Sequence, residues 1–147
     1  MTVEDSALVT AYTEYFSDSL LTKSTILIPC HSSETLNNAL ISIVEKRMDA
    51  NAIVGYPKSS LFTKAAITTF SESLTPGMFG IFYAGRDLVT VGGVKVVTSC
   101  VGGIAGRYCA VTAMSTINQV PSAQAWGRYP GSLVESLKPD EVPDLLS

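Results

Sequence analysis

The chain is short of charge. Asp, Glu, Lys and Arg make up 16% of its 147 residues, against about 25% in average soluble domains. The charges present sum to −3, so there is no basic excess to grip nucleic acid phosphates. Histidine is nearly absent, with His31 alone, and the cysteines are three: Cys30, Cys100 and Cys109. An odd count argues against a disulfide framework, and Met1–Asp5 has neither the basic n-region nor the apolar h-region of a secretory leader. A zinc site would have to place the neighbours Cys30 and His31 on the same ion as Cys100 and Cys109, and no C-x-x-C spacing is present. All three thiols are therefore expected as small buried hydrophobes, and no metal or cofactor is expected. Apolar runs are short and broken by Gly, Ser or Thr, which excludes membrane insertion by a spanning helix. No Asp or Glu lies between Leu88 and Val134.

What is present is 46% apolar sequence, enough for the core of one domain, because a chain of this length buries roughly 68–70% of its unfolded surface. Ala7, Leu8, Ala11, Tyr12, Tyr15 and Phe16 follow a helical spacing over 5–20. Thr25–Pro29 reads as a buried strand, and Ser32 or Ser33 then caps a helix with Leu36, Leu40, Ile43, Val44 and Arg47 or Met48 inward. Residues 52–56 read as a strand, 60–73 as a helix with Leu61, Ala65, Ile67 and Phe70 inward, and 79–83 as a third strand. Leu88–Val91 and Val94–Val97 around Gly92-Gly93 predict a β-hairpin. Residues 100–114 predict a helix of small residues, 115–131 a long loop, and 132–137 the start of another element. Alternating strands and helices predict an α/β fold: three layers, a mostly parallel or mixed sheet with helices on both faces, and an appended hairpin.

The chemical motifs are thin. Gly102-Gly103-Ile104-Ala105-Gly106 follows a strand-like run and opens a helix, which invites a nucleotide-loop reading. The spacing is not G-x-G-x-x-G, and no ribose-binding acid follows about 20 residues on. The other reading is packing, with Gly106 buried against the sheet. Glu4, Asp5, Asp49 and Asp87 stand near element ends, where carboxylates cap or stay solvated. A Ser-His-Asp triad has only His31 to use and no G-x-S-x-G elbow. A Cys30–His31 dyad is poor, since neighbours on a strand point to opposite faces. Arg86, Asp87, Arg107, Trp126, Arg128 and Tyr129 are candidate interface residues, because Arg, Trp and Tyr anchor protein contacts; solvated charges and a loop tryptophan plugging a satellite core are the alternative.

Four segments in order resemble one family. Arg47-Met48-Asp49-Ala50-Asn51-Ala52-Ile53-Val54-Gly55-Tyr56-Pro57 is similar to the "r-x-D-x-x-A-I-x-D-x-P" strand of phage contractile tail sheath proteins. Phe79–Ala84 resembles their "s-x-y-a-a-l-Y-y-P" strand. Val101–Tyr108 resembles "v-P-P-S-g-x-v-A-G-v-y-A", and Val120–Gly127 sits where the family has "w-k-A-P-A-n". Ser99-Cys100 stands in place of the family's double proline, and Tyr83-Ala84-Gly85 lacks its usual Pro. The resemblance runs over roughly residues 22–135, the central α/β domain of proteins several times longer whose arms exchange between subunits. It implies a central domain at 1–135 and the start of a truncated C-terminal segment at 136–147, as a fragment, a split gene product or a short relative. It further implies a structural protein without catalysis. That protein would form hexameric rings stacked helically around a tail tube protein in a virion tail, and would contract to drive the tube through a cell envelope. The alternative function is a small α/β nucleotide-binding domain or enzyme using the Gly102–Gly106 loop.

Overall fold

The computed structural model describes residues 4–18, 20, 25–114 and 134–137. The chain runs α1 (Asp5–Phe16), β1 (Ile26–Leu27), α2 (Glu34–Arg47), β2 (Asn51–Gly55), α3 (Lys64–Ser73), β3 (Gly80–Tyr83), β4 (Arg86–Val91), β5 (Val94–Ser99), α4 (Val101–Met114) and β6 (Val134–Leu137). It is an α/β chain with two three-stranded sheets. One is parallel in the order β1-β2-β3, and the other is antiparallel in the order β5-β4-β6.

Local chemistry sets the element ends. α1 stops at Phe16, short of the expected Leu20, where the Asp18 carboxylate accepts from the Leu20 amide at 2.8 Å and turns the chain. The Ser33 hydroxyl accepts from the Leu36 amide and caps α2, and Glu34 lies in the first turn, where the helix dipole favours an acid. The helix closes on Met48 in the left-handed region, φ 60°, its amide bonded to the Val44 carbonyl. α3 begins four residues later than the period suggests. Thr63 caps it, and Leu61, read as an inward residue, is 70% exposed. The hairpin turns on Gly92 and Gly93, φ 57° and 81°, which L side chains rarely adopt.

The core divides by the alternation of β2. Ala52 and Val54 join Leu27, Tyr12 of α1 and Leu36, Leu40, Ile41, Ile43 and Val44 of α2 in one buried cluster. Ile53, facing the other way, packs with Val101 and Ala105 of α4, backed by Ile26 and Tyr83. The registers Ala52↔Gly80 and Val54↔Phe82 put the β3 residues on matching faces. Leu36, Leu40, Val44 and Val54 are fully buried, each contributing about 1.5–3 kcal/mol by transfer from water.

Three expectations are corrected. The hairpin is not merely appended, because β4 also pairs antiparallel with β6, making a second sheet. Gly106 is exposed on α4, and a Cβ there or at Gly102 would meet nothing within 4 Å; Val101 and Ala105 make the contact with Ile53 instead. Only Cys100 of the three thiols is buried, while Cys30 and Cys109 are exposed.

Candidate functional site

Parallel strands leave their loops at one edge, and open α/β sheets bind ligands outside the carboxyl ends of the strands. Here β1 runs into Cys30-His31-Ser32, β2 runs into Pro57-Lys58-Ser59, and β5 ends at Thr98-Ser99 against the start of α4. These residues, with Asp5 from the first turn of α1, line a cleft of about 540 Å³.

Short hydrogen bonds build its rim. His31 Nε2 lies 2.8 Å from Asp5 Oδ1, and the Ser33 hydroxyl donates to Asp5 Oδ2 at 2.6 Å. Both carboxylate oxygens are thus engaged. The Ser33 bond first, opposed by burial and then aided by the bond and charge of His31, holds the Asp5 carboxyl below its ordinary value of 3.8. Beneath them the Cys30 amide donates to the Tyr12 hydroxyl at 2.8 Å, tying α1 to the end of β1. Burial, first of all, pushes the Tyr12 phenol up.

The opposite wall is set by Arg86, the first residue of β4. Its Nη2 donates to the carbonyls of Pro57 at 2.6 Å and Ser60 at 2.5 Å. Its guanidinium lies 4.4 Å from the Phe62 ring centre and 5.4 Å from that of Tyr56. The floor is Gly55. Its carbonyl accepts from Asn37 Nδ2 at 2.9 Å, and a Cβ on it would lie 2.5 Å from Val101, 2.9 Å from Ser99 Oγ and 3.0 Å from Ser32 Oγ.

The predicted site residues fall apart by location. Arg86 and Asp87, expected as surface contacts, are 7% and 5% exposed. The correction is physical: the Arg86 head is held inside the chain by two carbonyls and two aromatic rings. Burial and then the Asp87 charge push the Cys100 thiol up to about 11. Arg107 is half-buried on α4. Trp126, Arg128 and Tyr129 lie outside the described residues. Gly102–Gly106 lies in the first turns of α4 and is helical, not a loop ahead of that helix. Asp49 accepts from Arg47 Nε at 2.8 Å and does not line the cleft. No group of three or more His, Cys, Asp or Glu able to hold a metal occurs among the described residues.

The Asp5–His31 pair was not foreseen. Thirteen-odd carboxylates offered no local clue, because Asp5 reaches His31 only through the packing of α1 on α2. The arrangement is not a hydrolytic triad. A nucleophilic serine must give its proton to the imidazole, whereas Ser33 gives its proton to the carboxylate. Compared with protein-family models, with curated proteins and with solved structures, the chain matches none.

Proposed function

We propose that the chain is a structural domain of a contractile tail sheath, a subunit that polymerises around a tail tube and contracts to drive it through a cell envelope. One observation carries the reading: of the sheath-like segments within the described residues, Arg47–Pro57 and Phe79–Ala84 hold the neighbouring parallel strands β2 and β3, and Val101–Tyr108 opens helix α4, the element types the resemblance implies. Helices α1 and α2 on one face of β2 and α4 on the other support the finer description, a three-layer domain with helices on both faces. Residues 1–135 would be that domain and 136–147 the start of a further segment.

The mechanism is mechanical. Subunits form hexameric rings stacked helically around the tail tube protein in the virion tail. They store energy in a metastable packing and relax to a tighter one, with no nucleotide consumed. The competing nucleotide-binding reading needs a glycine loop at Gly102–Gly106, and that segment is helical. Interface roles fall to surface such as Val91, Val94 and Val96 of the hairpin, which are exposed despite being apolar.

Antibodies raised against the chain and applied to the parent particle test the reading. Regular decoration along the outside of the tail in electron micrographs is the expected result. Decoration confined to the head or baseplate, or labelling of no particle at all, overturns it.

A further inference from the structure

The cleft at the carboxyl edge of the parallel sheet has no part in the mechanical role. We propose that it binds the phosphoryl group of a small phosphorylated molecule, with Lys58 supplying positive charge and Ser32, Ser59 and Ser99 supplying hydroxyl donors.

Its size comes first. About 540 Å³ lies within the roughly 300–1,000 Å³ typical of small-molecule pockets. That is more than a phosphoryl group fills, and the remaining space runs along Pro57 and Cys30, which take the organic part.

The donors converge. The hydroxyl oxygens of Ser32, on the loop after β1, and Ser99, at the end of β5, both lie within 3.0 Å of the point where a Gly55 side chain would begin. Only a residue without Cβ lets these two loops approach over the end of β2. Lys58 and Ser59 close the cleft from a third loop. An anion there meets hydroxyls from separate elements and an ammonium, the donor set that charge-assisted hydrogen bonding to phosphate requires.

The one acid in the lining does not oppose this. Asp5 has one oxygen on His31 and the other on Ser33, so both its oxygens are engaged within the wall, and Lys58 is the cation the ligand sees. The walls are also set in advance. Arg86 holds the Pro57 and Ser60 carbonyls on either side of Lys58 and Ser59, and Asn37 holds the Gly55 carbonyl. A loop already ordered costs less to occupy than one that must be fixed by the ligand.

The test is a titration of the isotope-labelled chain, followed by amide chemical shifts, with inorganic phosphate and with free O-phosphoserine as separate probes. Saturable shifts confined to residues 31–32, 58–59 and 98–99 are expected with both, tighter for phosphoserine because it fills more of the cleft. Lys58→Ala weakens binding about tenfold, and Ser59→Ala weakens it less. Lys46→Ala, at the far end of α2, leaves it unchanged. Both cleft substitutions are at exposed positions and keep the spectrum of the folded chain. Shifts that do not saturate, equal affinity in Lys58→Ala and the parent, or binding only to phosphatidic acid vesicles and to neither soluble probe would each overturn the proposal.

Discussion

Ser33 has two tasks at one hydroxyl: it accepts from the Leu36 amide as the α2 cap and donates to Asp5. Ser33→Ala removes both. The lost cap costs about 1 kcal/mol, read as a lower urea midpoint at unchanged slope. The Asp5 carboxyl, losing its main stabiliser, rises toward 3.8, read by carbon NMR of its side chain. The sign of the pH effect follows from the depressed carboxyl. Asp5 contributes stability that is present above the unfolded value of 3.8 and fades as pH falls through the lower folded value. Asp5→Asn therefore flattens the acid limb of the stability profile below about pH 4, where a parent-like acid limb in the variant would contradict the assignment. Arg86 shows the opposite economy. A guanidinium reads as solvated in sequence, yet Tyr56 and Phe62 provide ring faces and the bend at 57–60 provides two carbonyls for Nη2, while Nε has no partner among the described residues.

Among the elements, α4 gives the sharpest test of packing. Since nothing lies within 4 Å of a Cβ at Gly106, Gly106→Ala restores helix propensity without a clash. It stabilises the chain by about 0.5–1 kcal/mol, seen as a raised thermal midpoint; a loss of stability would mean that the outer face of α4 is covered. α2 was legible throughout, because the Ser33 cap, the acid at Glu34 and the Leu36–Leu40–Val44 stripe all mark one helix, and the hairpin was legible from Gly92-Gly93. Other elements carry no such mark. β6 lies within 132–137, where the sequence marks the start of an element but not its kind, and its partner β4 is remote in sequence. α3 was begun too early because Leu61 looks inward by period, while the Arg86 bonds that bend 57–60 cannot be read from spacing. Gly106 was misplaced by a single step around α4, where Ala105 is the residue that touches Ile53. In the cleft, Pro29 marks the end of a strand in the sequence, whereas Cys30 and His31, weighed there as strand neighbours, stand in the loop beyond it, and their meeting with Asp5 and Lys58 is a product of tertiary packing alone.

At the scale of the whole molecule, the sheath reading makes a prediction about assembly. Association of free copies has to offset at least ~4 kcal/mol of lost translational and rotational freedom. Without exchanged arms, contacts lack the main-chain pairing that strand addition supplies. The 147-residue chain alone is therefore expected to be monomeric or weakly associating at micromolar concentration by light scattering. A longer polypeptide carrying flanking arms forms rings or tubes. Stable hexamers from the short chain would refute dependence on arms, and monomers from both would count against the sheath reading. The second sheet also sets an order of events in folding. β4 meets β5 across a two-residue turn, a closure completed in about 1–10 μs for isolated hairpins. The other edge of β4 pairs Val89 with Val134 and Arg86 with Leu137, and each doubling of a loop adds about 0.6 kcal/mol to its closure. β6 consequently docks after the hairpin has formed, and during that interval the free edge of β4 is open to capture by another nascent chain.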